Sequence, residues 1–433
     1  MKILIHGGRI VDPASGRDEA GDIAIADGRI VSLGRIGPDF EPARRIDATG
    51  LVVAPGLVDL AARLREPGHE HEGMLESEMA AAVAGGVTSL VCPPDTDPPL
   101  DEPGLVEMLK FRARNLNLAH LYPLGALTRG LAGDTLTEMA ELTEAGCVAF
   151  SQADVAIKDT LVLHRALQYA ATFGYAVWLR PDDAWLGGGV AAKGPLATRL
   201  GLAGVPTLAE TIALATLFEL VRDTGARVHV CRLSSAAGIE QLRRAKAEGL
   251  PVSADVSVNQ LHLIDQDIGY FNAAMRLNPP LRQQRDRDAI RAALADGTLD
   301  ALVSDHTPVD ADAKHLPFAE AEPGATGLEL LLSLVLKWGE EAGLGLAQAL
   351  ATVTSAPVSV LGSALGSSAA SAGRLVEGGV ADVCLFDPAA RWTVRPEGFV
   401  SQGRHSPFAG WELPGKVRCT IVAGSVAYEA PSA

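Results

Sequence analysis

Paired cysteines, long apolar runs and a surplus of positive charge are all missing from this chain of 433 residues. Its five cysteines (Cys92, Cys147, Cys231, Cys384 and Cys419) are odd in number and far apart, without a CxxC spacing. That excludes redox or cysteine–zinc motifs and leaves them as small buried hydrophobes of a reducing compartment. No stretch approaches the roughly 20 apolar residues of a membrane helix. The opening MKILIHGGRIVD runs directly into an alternating apolar pattern without the long apolar run of a secretion signal, so the expected location is the cytoplasm. Asp and Glu number 53 against 37 Lys and Arg, and the net charge of −16 argues against nucleic acid or an anionic membrane as partner. Aromatics are scarce at 5%, while 48% hydrophobic and 21% charged residues make a globular composition.

What is present falls into two textures. Residues 1 to about 54 hold short alternating runs (Lys2–His6, Asp22–Ile25, Arg29–Leu33, Leu51–Ala54) parted by Gly7-Gly8 and Asp27-Gly28 turns, the pattern of a small antiparallel sheet. From Pro55 to about Gly362, short apolar runs alternate with helical stretches such as Leu208–Thr224 and Arg285–Leu294. The runs are Leu57–Leu60, Val87–Val91, Ala119–Tyr122, Val148–Phe150, Ala176–Leu179, Val228–Val230, Val252–Ala254 and Ala301–Val303. Eight strands with helices between them predict a TIM-type (β/α)8 barrel over 55–362. The Ser/Ala/Gly stretch 363–372 reads as a linker, and Val383–Phe386, Trp392–Val394 and Val417–Val422 are strand-like again. Residues 373–433 are therefore expected to join 1–54 in one small β-sandwich domain built from both chain ends.

Chemistry in such a barrel sits at the C-terminal ends of the strands. There, Pro55–Gly68 reads PGLVDLAARLREPG. It resembles the dihydroorotase signature, in which His-x-His precedes Leu-Arg-Glu-Pro-Gly. Gly86–Pro98 (GVTSLVCPPDTDP) is similar to that family's GVTT…MPNTxP, Phe150–Asp154 to its FSDDG, Leu179–Asp183 to HxED, and His229–Ser235 to HxxHxST. Asp255–Leu263, Asn278–Arg282 (NPPLR), Ser304–Pro308 (SDHTP) and Ser406–Gly410 continue the match in order. The chain resembles the dihydroorotase family of amidohydrolases across nearly its whole length.

The resemblance implies zinc-activated hydroxide acting on a cyclic amide in pyrimidine biosynthesis, and therefore imidazoles and carboxylates converging on metal. Mapped onto this chain, the two histidines of His-x-His are Ala61 and Arg63, and the FSDDG carboxylate is Ala153, preceded by Gln152. The fifth-strand histidine is Arg180, and the ligating histidine of HxxH is Arg232, although His229 remains. Only Asp305, the family's base position, survives of six. Metal lowers the pKa of water from about 15.7 to about 7, so its loss forfeits roughly 12 kcal/mol of hydroxide activation. Substrate positions are also altered. Arg65 and Asn278 match residues that hold substrate, but Asp95 replaces an asparagine, Val309 a histidine, and Val258-Asn259-Gln260 a Pro-His-His.

Other features have bland readings. His69-Glu-His71 lies in the loop after a strand, Lys158 is five residues past the lost ligand position, and Gly187–Gly189 has no phosphate-cradling frame. His229 is expected to be a satisfied core histidine. Arg63, Arg180 and Arg232 converge from strand ends, and at least one is expected to hydrogen-bond Asp305 where zinc would lie. Three guanidiniums against one carboxylate leave about two positive charges, so a small anion is a possible occupant. The family resemblance implies a dihydroorotase-like pseudoenzyme, without metal or cofactor. It is expected to homodimerise and to serve as a structural companion of the aspartate transcarbamoylase catalytic subunit. The alternative is an amidohydrolase-fold enzyme or anion-binding protein with a metal-free, arginine-lined pocket.

Overall fold

The computed structural model describes residues 1–431. Leu57–Asp59, Val87–Cys92, His120–Ala126, Ala149–Ser151, Ala176–Leu179, Arg227–Val230, Val252–Ser257 and Ala301–Val303 pair in chain order as one parallel sheet. Parallel strands covered by helices bury both faces, which is why Val87–Cys92 is buried at every position rather than at alternate ones. The first and last strands close the ring through an Ala62–His306 bridge, with Arg63 N–H donating to the His306 carbonyl at 2.9 Å. Asp59, fully buried, accepts from the Ser304 amide at 3.1 Å and from its hydroxyl, completing the seam. The architecture is the expected (β/α)8 barrel. The helices Thr207–Thr224 and Gln284–Ala295 fall on the two amphipathic stretches.

The strands of the two chain ends form one eight-stranded sheet instead of two separate ones, and Ala191–Ala192 pairs with Gly204–Val205 in a small sheet of its own. Val52–Pro55 joins the chain ends: it pairs parallel with Arg9–Ile10 and antiparallel with Val383–Phe386. Ile3, Ile5, Ile10, Ile23, Ile25, Val383, Leu385 and Ile421 enclose its own core. The 363–372 stretch is not a free linker. Gly362–Ala370 is a 3-10 segment whose Leu365 packs with Val358 and Leu361 against the barrel's inner cluster around Trp178. Its small residues allow a tight turn, and a single leucine every few positions supplies the apolar contact. The helical run Leu346–Ala370 is long and apolar enough to cross a membrane by length and composition. It is broken at Thr354 and Gly362, and about half of it is buried here.

The first helix, Leu75–Ala84, ties barrel and sheet domain together, and Glu78 makes most of its hydrogen bonds across that join. Glu78 is completely buried; its carboxylate accepts from His306 Nε2 at 2.7 Å, Gln402 N–H at 3.0 Å, Ser77 Oγ at 2.8 Å, and Ser401 Oγ. His306 Nδ1 in turn accepts from the Gly327 amide at 3.2 Å, which places the ring proton on Nε2. Burial raises the Glu78 pKa, but the His306, Ser401 and Ser77 hydrogen bonds outweigh it and leave the group below its ordinary value. Its contribution to stability is thus complete above the unfolded carboxyl pKa of about 4.3 and is lost as pH falls through the lower folded value. We expect Glu78→Gln to lower unfolding free energy by roughly 2–4 kcal/mol at neutral pH. Urea titrations between pH 3 and 7 should show a flatter acid limb in the variant.

Candidate functional site

Four residues at the barrel mouth hold left-handed backbone without being glycine: Arg65 (φ 63°), Ala153 (φ 50°), Arg232 (φ 54°) and Asp305 (φ 52°). Each such conformation costs about 1 kcal/mol or more, and its concentration around one centre marks a functional site. The turns throw side chains from four different strand ends into a common space. The segment after Asp305 arches over it as a strap. Thr307 N–H donates to Ala325 O at 2.8 Å at the strap's base, and Lys314 pins its middle to the carbonyls of Arg276 (3.0 Å), Glu322 (2.7 Å) and Ala273 (3.3 Å). Gly324 passes so close that a Cβ would lie 2.5 Å from Thr307 O. Below the strap is a cavity of about 170 Å³.

The centre of the site is Asp154. Its carboxylate accepts from Arg63 Nη2 at 3.0 Å and from Arg232 Nη2, with Arg180 Nη1 at 3.7 Å and Asn278 Nδ2 at 3.5 Å. Burial raises its pKa, yet the charges of Arg232, Arg63 and Arg180 hold it well below the usual carboxylate range. Asp305 accepts from Arg232 Nη1 at 3.2 Å; Arg63 and Arg180 make no ion pair with it. Burial lifts the Asp305 carboxyl above its ordinary value against the pull of Arg232 and Arg63. Arg63 also grips Asp95 through Nε at 2.8 Å and Thr307 Oγ1 through Nη1 at 3.1 Å. Arg180 turns to Asp182 at 3.0 Å.

This corrects the expected charge balance. Arg63, Arg180 and Arg232 face four carboxylates, Asp95, Asp154, Asp182 and Asp305, so the two surplus positive charges are absent. Asp154 stands one residue beyond Ala153, the position matched by resemblance to the FSDDG carboxylate, and that proximity was the available signal: a carboxylate at a strand end facing three cationic strand ends. Sequence reasoning also missed Asp182 and the strap lysine Lys314.

The residues do not fit a zinc ion. Zinc takes about four imidazole, thiolate or carboxylate ligands at 2.0–2.3 Å. The centre offers the carboxylates Asp154 and Asp305, both already bound to guanidinium, and the side chains at the other mapped positions are Ala61, Arg63, Ala153, Arg180 and Arg232. His229, Cys231 and Asp255 do gather inside the barrel, with donor atoms within 4.8 Å of one another. Both His229 nitrogens are engaged, with Asp255 at 2.9 Å and Ser253 at 2.8 Å, and burial pushes the Cys231 thiol far above its ordinary value. His229 is a satisfied core histidine, its ring tilted against Trp178 with centroids 4.6 Å apart.

The positions matched by resemblance to substrate contacts make internal bonds. Arg65 Nε is 2.8 Å from both the Pro308 carbonyl and Glu72, and the Asn278 carbonyl accepts from Arg232 at 3.3 Å. Val309 is buried, and Gln152 is spent on Thr128 and Leu131. His71 is solvent-exposed beside His69, Lys158 lies over the Trp185 ring, and Gly187 packs on Asp182, all outside the centre. We expect Asp154→Asn to destabilise the fold by about 2–4 kcal/mol, because it leaves guanidiniums facing one another. Adding Arg232→Met should recover part of that loss in urea unfolding. An Asp154→Asn variant within about 0.5 kcal/mol of wild type would remove the cluster's structural role.

Comparison with known proteins places the chain in a family. The dihydro-orotase-like family profile matches residues 50–237, and that of the amidohydrolase family matches 198–428. A dihydroorotase-like protein of Pseudomonas aeruginosa is 45% identical over 99% of this chain and 100% of its own length. A dihydroorotase of Citrifermentans bemidjiense is 39% identical over 99% of this chain and 100% of its own. Among solved structures, the L-hydantoinase of Arthrobacter aurescens superposes with a TM-score of 0.87 at 24% identity, covering 99% of this chain and 96% of its own, which shows a shared fold. With its barrel, its strand-end turns and full-length relatives of this similarity, the chain belongs to the dihydroorotase-like proteins of the amidohydrolase superfamily.

Proposed function

We propose that this protein is a catalytically silent dihydroorotase-like subunit that serves pyrimidine biosynthesis as a structural partner of aspartate transcarbamoylase. The observation that carries the silence is the convergence of Arg63, Arg180 and Arg232 on Asp154 at the place where ligands would hold metal. A guanidinium stays protonated, cannot ligate zinc, and offers no means of generating hydroxide at neutral pH. Asp305 is tied to Arg232 by a hydrogen bond. The ion-pair cluster does a metal's mechanical work instead, linking strand ends by directional bonds. The partnership rests on the family resemblance: a framework kept whole around a dismantled centre fits selection on fold and surface.

Elemental analysis of the purified protein should find well under one zinc per chain, and added zinc should not elicit dihydroorotate turnover. One zinc per chain, or measurable turnover, would overturn the silent reading. Alone, the protein should behave as a homodimer. Mixed with the aspartate transcarbamoylase catalytic subunit encoded in the same genome, it should form a larger hetero-oligomer by light scattering after size exclusion. Separate elution at micromolar concentrations would count against the partnership.

A further inference from the structure

Beside the barrel mouth, with Arg180 in the wall between them, lies a second cavity of about 130 Å³. It is bounded by the loops that follow Ala149–Ser151 and Ala176–Leu179 and by the helix Thr207–Thr224. Most of its wall is apolar, with Leu163, Leu179, Pro181, Ala213 and Leu217 as the main contributors. Trp185, 78% exposed, forms the solvent side, and Lys158 Nζ lies 5.3 Å from the centre of its ring. This cation–π contact joins one loop to the other, and an exposed contact of this kind is weak enough to open.

One end of the cavity is polar. The Arg180 side chain, 8% exposed, donates from Nη2 to Asp182 Oδ2 at 3.0 Å, and its Nη1 faces Asp154 across 3.7 Å, too far for a hydrogen bond. Among the described residues, Arg180 Nε makes no hydrogen bond and Asp182 Oδ1 receives none. A donor and an acceptor therefore stand side by side with capacity unspent. Asp183, by contrast, is occupied: its Oδ1 accepts from the Trp185 and Leu186 amides at 2.9 and 3.0 Å. Two cations, Lys158 and Arg180, against two carboxylates, Asp182 and Asp183, leave the lining with no net formal charge. A charged ligand would enter such a site uncompensated, and a neutral one would not.

We propose that this cavity binds a small neutral molecule made of one planar ring and a carboxamide, of the aryl or heteroaryl amide class. The ring sits among Leu163, Leu179 and Leu217 beside the Trp185 indole, the amide oxygen accepts from Arg180, and the amide N–H donates to Asp182. An amide carries an acceptor and a donor next to each other, so it meets both halves of the Arg180–Asp182 edge and adds no charge. Size limits the rest of the ligand: an apolar cavity of about 150 Å³ holds benzene, so about 130 Å³ admits one ring and little more. Apolar walls with a few placed polar groups are also the usual make-up of a small-molecule site. The cavity lies outside the arginine centre, so the inference does not depend on whether that centre is catalytically silent.

The test is a thermal-shift titration, paired with ligand-observed NMR, of the full-length protein with benzamide against benzoate, benzylammonium and acetamide. Benzamide should raise the melting temperature along a saturating curve. Benzoate and benzylammonium, similar in shape but charged, should need at least about fivefold higher concentrations for half-saturation, and acetamide, without a ring, should give no saturable response. Ala213→Phe fills the cavity from a half-buried helix position and should raise the half-saturating benzamide concentration at least about tenfold; Trp185→Ala, at an exposed position, should raise it at least about threefold. Binding in the barrel mouth, which Ala213 does not line, would survive Ala213→Phe and is told apart in this way. No saturable response to benzamide, a charged analogue that binds as well as benzamide, or a half-saturation point unchanged in Trp185→Ala or in folded Ala213→Phe would each overturn the proposal.

Discussion

Much of the barrel mouth is organised by one carboxylate. Asp154 draws Arg63 from the first strand's end, Arg180 from the fifth and Arg232 from the sixth into a single point of charge compensation. None of these guanidiniums tolerates burial unpaired, and the carboxylate would not stay ionised there without them. Asp95, Asp182, Asp305 and the Asn278 carbonyl accept further hydrogen bonds from them. The result is a closed set of ion pairs whose partners come from six segments of the chain, and loss of the central member exposes all the others.

A divalent metal and an arginine cluster solve the same mechanical problem in different ways. Both pull strand ends inward against the cost of left-handed backbone at Arg65, Ala153, Arg232 and Asp305. Only the metal also leaves an open coordination position and an acidified water. A guanidinium stays protonated and carries no such open coordination position. Beneath the mouth the barrel keeps ordinary devices: the His229–Asp255 pair inside the barrel, the Asp59–Ser304 seam, and Glu78 fastening the first helix to His306 and Ser401.

The strap converts the mouth into a chamber. Lys314 reaches carbonyls on both sides of it, and Gly324 permits a backbone approach that no side chain would survive.

By itself the sequence determined the fold class and the positions of all eight barrel strands, because buried parallel strands leave continuous apolar runs that periodicity can read. It also determined which residues (Ala61, Arg63, Ala153, Arg180 and Arg232) match the family's ligand motifs by resemblance, since a motif match reads residue identity at each strand end. The tertiary structure alone decided which carboxylates those arginines meet. Asp154 and Asp182 lie next to the mapped positions, and whether a side chain one residue along a left-handed turn faces the centre or the helix layer depends on backbone geometry that spacing does not encode. The 363–372 segment was decided there too: small residues permit both a loose tether and a tight turn, and the packing of Leu365 against the barrel selects the turn. Electrostatics at the centre are likewise a matter of distances of a few ångströms, set by folding together residues about 240 positions apart.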